Sequence, residues 1–444
     1  MARKTRLIFT LFLILLSLLI LVLNPPLLTA NYTLTSINES TVTSKLVSTS
    51  LSSVPNLFAT ANQNRSATFT ENGSSFAAGV DSIPPRSQMG NEIGVIGEKS
   101  GSCDIFDGKW VVDDSDPVYP PGSCPYLDYA FNCFNNGRLD LDYLRYRWHP
   151  YGCDIPRFDG VKMLEMLKGK RMVFVGDSLN RNMWQSLVCS LRMSLVDKNR
   201  ISEVSERRQF RKEGSYAYEF QDYNCTIEFI RAPFLVQQWK NPTSFEGVES
   251  RRETLRLDMM QSSTSKYNNA DFLVFNTGHW WTYHKTQNGQ NFFQEGDFVH
   301  GKLKVKEAYT KALNTWSKWV DKKVDRNKTK VFFAGYSASH FRGGQWNSGG
   351  SCDGETKPIT NDSFLAPYPW MMRTLESVIS KMKTPVVYLN ITKMTGYRKD
   401  AHPSINRQPG TIRKPDMIQD CSHWCLPGVP DSWNHLLYAS LLLS

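Results

Sequence analysis

Short apolar runs alternate with stretches of helical period along the later two thirds of the chain, and the alternation predicts strands and helices in turn. Residues 172–175 form a compact apolar run of the kind a strand buried on both faces requires. Leu179, Met183, Leu187 and Leu191 then recur at helical spacing. Residues 270–276, 330–335 and 385–390 read as further central strands. Residues 302–324 and 369–382 read as helices, and 432–443 as a terminal amphipathic helix. Residues 216–220 and 226–234 look like a hairpin packed beside the sheet. Strand alternating with helix argues for an α/β fold, a parallel sheet flanked by helices, whose function collects at the carboxyl ends of the strands.

The first hundred residues follow other rules. Basic Arg3, Lys4 and Arg6 in residues 1–6 precede an uncharged apolar run at 7–23, about 17 residues and just long enough to span a bilayer. A cleaved signal peptide is the alternative, but Leu28 stands where a small residue is wanted before a cut after Ala30. An uncleaved anchor would leave 1–6 in the cytosol and carry the rest to the lumenal side. Residues 24–100 are rich in Ser, Thr and Asn and read as a disordered, glycosylated stem, with acceptor sequons at Asn31, Asn38, Asn64 and Asn72. Further sequons stand at Asn224, Asn327, Asn361 and Asn390. Residues 101–160 change to cysteines, aromatics and turn residues, a loop-rich lobe that needs covalent staples. It either covers one face of the core or binds substrate. Residues 161–444 carry the α/β pattern.

Composition adds little beyond this. The net charge of +10 fits a polyanionic partner, but no finger or RNA-binding signature points to nucleic acid. Nine cysteines leave at least one outside an intrachain bridge. Cys225 is the candidate for that, because it falls inside an apparently buried strand. Cys103, Cys124, Cys133, Cys153, Cys189, Cys352, Cys421 and Cys425 remain for disulfides. The alternate spacing of Cys421, His423 and Cys425 is no usual zinc pattern, so no metal is expected.

Chemistry concentrates where the period changes. Gly176-Asp177-Ser178 joins the 172–175 strand to its helix, which puts Ser178 at a helix N-terminus, where developing negative charge is favoured. Asp and Ser are also ordinary N-cap residues. The second motif decides between these readings: in Asp420-Cys421-Ser422-His423 an aspartate three residues before a histidine can orient an imidazole that takes the serine proton. Disulfides from Cys421 and Cys425 to distant partners would hold that base. Cys352 and a cysteine of the 103–153 block are the expected partners, with Cys189 tied to the same block; a local Cys421–Cys425 bridge is the alternative.

The motifs GDSLNRN at 176–182 and DCSH at 420–423, together with the cysteine-rich 103–153 block, resemble the plant trichome birefringence-like family of wall polysaccharide O-acetyltransferases. The resemblance runs from about Gly101 onward. It implies a fold similar to the GDSL (SGNH) hydrolases, a single-pass type II Golgi membrane anchor and a lumenal catalytic domain. The implied reaction is acetyl transfer to a wall polysaccharide, xylan or pectin foremost, through an acetyl-serine. The donor would derive from acetyl-CoA and be presented by a membrane partner, with no tightly bound cofactor. A polysaccharide acetyl esterase and a non-catalytic binding protein are the rival readings. In the GDSL-like scheme Asn276, at the end of the 270–276 strand, corresponds to an oxyanion donor beside the Ser178 backbone N–H. His279, Trp280, Trp281, His340, Arg342, Trp346 and Trp424, on segments near these strand ends, are the candidate sugar contacts.

Overall fold

The computed structural model describes residues 103–205, 215–245, 248–345, 347–410 and 417–443, and all statements below concern those residues. The expected anchor, the stem with its four sequons, and Trp346 lie outside them. Among the described residues no helix is long and apolar enough to cross a membrane.

The lobe is built on one antiparallel pair, β1 (Gly108–Val112) and β2 (Tyr146–Pro150). A helix at Gly160–Leu167 follows, started by Asp159, whose side chain accepts from the Lys162 N–H. The chain then enters β3 (Arg171–Gly176) and turns at once into the serine helix, Ser178–Met193. Next come β4 (Ile201–Glu203), β5 (Ser215–Phe220), β6 (Cys225–Arg231) and the long pair β7 (Val236–Phe245) and β8 (Val248–Met260). β9 (Phe272–Phe275), β10 (Phe293–Glu295) and β11 (Phe298–Val299) precede a helix at Val305–Lys323. β12 (Lys330–Ala334), a helix at Trp370–Ile379, β13 (Val386–Leu389) and the C-terminal helix Val429–Leu442 complete the main elements.

Seven strands form the central sheet in the order β13-β12-β9-β3-β6-β5-β4. From β13 to β6 the pairing is parallel, and β5 and β4 extend the edge antiparallel. The expected hairpin therefore exists, but it is part of the sheet, because β6 pairs directly with β3. Side chains alternate across a strand, and β3 shows the result. Met172 and Phe174 face a core shared with the serine and C-terminal helices; Val173 and Val175 face a second core containing Val305–Lys323 and Trp370–Ile379. The helix expected at 432–443 exists as Val429–Leu442, and with ten of its fourteen positions buried it is a core helix with little of the amphipathic contrast expected.

A second sheet, β11-β10-β8-β7, was not anticipated. Four disulfides close the fold: Cys103–Cys153, Cys124–Cys189, Cys133–Cys425 and Cys352–Cys421. The two cysteines flanking His423 thus reach distant partners, as expected, and the local bridge does not form. Cys225 is free and buried, and burial, with some help from Glu219, pushes its thiol up to about 12.

Candidate active site

The order of the central sheet reverses at β3: the chain goes to β6 on one side and to β9 on the other. Such a reversal opens a crevice at the carboxyl ends of the flanking strands. Ser178 stands there, one residue beyond Asp177, the N-cap of the serine helix, whose side chain accepts from the Leu179 N–H at 2.9 Å.

Ser178 Oγ lies 2.6 Å from His423 Nε2, and His423 Nδ1 lies 2.7 Å from Asp420 Oδ2. A carboxylate only accepts, so Nδ1 carries the proton and the Nε2 lone pair faces the serine hydroxyl. Asp420 is buried. Burial alone would raise its carboxyl, but the neighbouring imidazole and hydrogen bonds from its own loop outweigh burial and hold it well below the carboxylate range. Those bonds include the His423 N–H at 3.0 Å and the Ser422 hydroxyl at 3.2 Å. Two residues 245 apart in sequence are thereby placed for proton transfer.

The corner before Ser178 is held from below. Asn276 Oδ1 accepts from the Asp177 N–H at 2.9 Å, and Asn276 Nδ2 donates to Asp177 Oδ1 at 2.7 Å. Asn276 therefore braces Asp177 and does not line the cleft, unlike the oxyanion donor expected at this position. Gly176 does not adopt a positive φ. Its requirement is space, since a Cβ would fall 1.8 Å from Asn276 Oδ1. His279 joins the same brace: Nε2 donates to the Ser337 carbonyl at 2.8 Å, and Nδ1 lies 3.7 Å from Asp177 Oδ2. Burial would raise the Asp177 carboxyl, yet His279 and Asn276 together lower it.

A cleft of about 330 Å³ opens over Ser178 and His423. Of the residues expected to touch sugar, Trp280 alone among those described lines it. Trp281 is buried and donates to Thr277 Oγ1, and Trp424 is buried and donates to Ser337 Oγ, so both are packing residues. His340 lies 2.7 Å from His402 and 2.9 Å from the Gly396 carbonyl, inside the protein. Arg342 faces away and pairs with Glu355 at 2.7 Å. Large aromatics more often fill cores than bind sugar, and these do.

The cleft instead uses residues that carry no local motif. Asp128 to Phe131 of the lobe form one wall, and the Phe131 ring lies 5.3 Å from the His423 ring. The segment of the lobe that covers the core also forms the cleft wall. Asp128 pairs with Arg181 of the serine helix at 3.0 Å. His402, which sequence reasoning passed over, donates from Nδ1 to the His423 carbonyl at 2.7 Å; burial pushes its pKa down to about 3, so it stays neutral. Arg138 of the lobe donates to the His402 carbonyl at 2.8 Å. Lobe, His402 and His423 form one continuous support.

Comparison with known proteins matches residues 155–440 to the GDSL/SGNH-like acyl-esterase family found in Pmr5 and Cas1p, and residues 101–154 to the PMR5 N-terminal domain. The chain is 58% identical to Protein trichome birefringence-like 4 of Arabidopsis thaliana over 85% of this chain and 83% of that one. It is 56% identical to Protein trichome birefringence-like 1 of the same plant, over 78% of this chain and 62% of that one. Identity to Protein trichome birefringence is 54%, over 80% and 59% of the two chains. The chain thus spans less than two thirds of the length of those last two relatives.

Proposed function

Because the chain belongs to the trichome birefringence-like family and carries its GDSL/SGNH-like acyl-esterase domain, we propose that it is an O-acetyltransferase acting on a plant wall polysaccharide. The observation that carries the reading is the Ser178–His423–Asp420 relay, at 2.6 and 2.7 Å, opening into a cleft. Ser178 Oγ attacks the acetyl carbonyl of the donor while its proton passes to His423 Nε2, and the donor leaves with that proton. An acceptor sugar hydroxyl then gives its proton to the same Nε2 and attacks the acetyl-serine, returning the free hydroxyl to Ser178. Asp420 keeps the imidazole oriented and offsets its charge. The Ser178 backbone N–H, at the start of the serine helix, faces the developing oxyanion.

The donor in this reading derives from acetyl-CoA and arrives through a membrane partner. The setting is the lumenal side of the Golgi membrane, supported by the basic residues before the 7–23 apolar run and by the sequons that follow. Intact-mass measurement of the full chain with an acetyl donor tests the mechanism: a gain of one acetyl group on Ser178 that is discharged by an oligosaccharide acceptor is expected. A folded Ser178→Ala chain should lose about 10⁴ or more in rate. Undiminished transfer by that variant refutes the mechanism, and release of acetate to water with no acetylated sugar makes the protein an esterase.

A further inference from the structure

The loop that carries the base is held by its backbone from three sides. The His340 N–H donates to the Cys421 carbonyl at 3.0 Å. Asn182 of the serine helix accepts from the Trp424 N–H at 2.8 Å and donates to the Trp424 carbonyl at 3.2 Å. None of those groups titrates. The third hold, on the carbonyl of His423 itself, runs through two histidines that do not line the cleft. His402 Nδ1 donates to the His423 carbonyl at 2.7 Å, and His340 Nε2 donates to the Gly396 carbonyl at 2.9 Å. The two remaining ring nitrogens, His340 Nδ1 and His402 Nε2, face each other at 2.7 Å.

Counting protons along this row exposes a shortfall. Carbonyls only accept, so each outer nitrogen carries a proton, and in a neutral imidazole that leaves the inner nitrogen as an acceptor. Two lone pairs then face each other at hydrogen-bond distance and repel. The three contacts need three protons, and two neutral rings supply two. With His402 neutral, the third belongs on His340 Nδ1, pointing at His402 Nε2. Burial pushes the His340 imidazole down, the Gly396 carbonyl and the Asp400 carboxylate pull it up, Lys399 opposes them and Glu355 assists. Asp400 is paired with Arg398 at 2.9 Å, and Glu355 with Arg342 at 2.7 Å and Lys399 at 2.6 Å. On the His402 side stand Asp420, His423 and Arg138, which donates to the His402 carbonyl. The added proton is thus held in acid and released as pH rises. His402 is buried and stacked on Trp424, with ring centroids 4.1 Å apart. Held in that place, it has one proton contested between His340 and the His423 carbonyl once His340 has lost its own.

We propose that His340 and His402 are positioning residues of the catalytic base, and that their grip on the His423 carbonyl is complete only while the pair holds one proton more than two neutral rings carry. The proposal rests on the acetyltransferase reading for its kinetic consequence alone, and the proton itself is read without any reaction. Full chain carrying Ser178→Ala and isotope-labelled histidine is followed by NMR from about pH 5 to 8. At the acid end both ring nitrogens of His340 are expected to be protonated, and His402 to keep one proton, on Nδ1. As pH rises His340 loses one proton, and the His402 Nδ1–H signal shifts in the same step. An unchanged proton count on the pair throughout the range overturns the proposal, and so does a His340 titration that leaves the His402 Nδ1–H unmoved. The kinetic arm compares kcat of the wild-type chain with that of His402→Gln, whose amide donates to the His423 carbonyl without titrating. Their ratio cancels the titration of His423, which both chains share. It is expected to fall about tenfold from the acid to the alkaline end, as for a movement of the imidazole by less than about 1 Å. Acceptor KM should change little, because neither histidine lines the cleft. A flat ratio contradicts the proposal. If His402→Gln misfolds, the NMR arm decides alone. If Ser178 is never acetylated while the His340 and His402 signals move together, the reaction reading fails and the proton-dependent hold on His423 stands.

Discussion

Removing the Cys352–Cys421 bridge separates two roles that a disulfide near a catalytic base can have. In the double variant Cys352→Ser, Cys421→Ser the opened loop spans a sequence separation of 69. The chain-entropy model assigns such a loop about 4 kcal/mol of stabilisation. Cys421 stands two residues before His423, and its loss leaves the DCSH segment held by Cys133–Cys425, the Ser404–Asp420 backbone pair at 2.9 and 3.1 Å and the His340 N–H to Cys421 carbonyl bond at 3.0 Å. A displacement of about 1 Å at the imidazole costs on the order of 10²-fold in rate. The expected result is a kcat lower by about 10- to 100-fold with acceptor KM little changed, since neither cysteine lines the cleft. The control is Cys103→Ser, Cys153→Ser, whose separation of 50 gives a similar loss of about 4 kcal/mol far from His423. Steady-state transfer is measured well below the melting temperature of both variants, with urea unfolding in parallel. Equal stability losses and equal kcat in the two variants would refute the idea that the Cys421 bridge positions the base.

Two other outcomes follow from buried contacts. Gly176→Ala should misplace the corner before Ser178, because its Cβ meets Asn276 Oδ1 and the Asn276 carbonyl; overpacking of about 1–3 kcal/mol in urea melts and a kcat loss near 10²-fold are expected, and an unchanged kcat would show the corner to be more tolerant than this packing allows. Asp431 is half-buried, bonded to Ser186 Oγ and the Gly428 N–H, and desolvation pushes its carboxyl up to about 6. A folded pKa above the unfolded one means its stability contribution is full below about pH 4 and is lost as pH rises through 6. Asp431→Asn should therefore raise stability at pH 7.5 by about 1–3 kcal/mol and give no gain near pH 4; a gain of the same size at both pH values would show that ionisation is not its source.

The sequence displayed what local pattern can carry. The β3 strand, the serine helix and the DCSH loop were readable because apolar period and turn chemistry change at fixed residues. The distant partners of Cys421 and Cys425 followed from the demand that a base near a chain end be held. The second sheet was not readable: VQQWKNPTSF and VESRRETLRLDMM are crowded with charge and polar groups, and one contains proline, so no apolar alternation marks them. The cleft wall was equally hidden, since Asp128, Arg181, Arg231, Lys285 and Arg407 meet only through tertiary packing. Reading Trp281, Trp424 and His340 as sugar contacts failed for a related reason. Closeness in sequence to a reactive residue says nothing about which way a side chain points: the cores beneath the strands claimed Trp281 and Trp424, and His340 turned to His402 and the Gly396 carbonyl.

The Cys133–Cys425 bridge joins residues 292 apart, and the chain is synthesised from its N-terminus. Cys103 can meet Cys153, and Cys124 can meet Cys189, while most of the polypeptide has yet to emerge. Cys133 lies between Cys124 and Cys153 but must forgo both earlier opportunities and wait for a partner that arrives much later, together with His423. Maturation therefore has a built-in order. The lobe is stitched to itself and to the serine helix first, and the nucleophile exists for a long interval without a base. A nascent or truncated chain without His423 lacks the imidazole that faces Ser178, and the bond that brings that imidazole in is the one that also certifies that the last strands have been laid down.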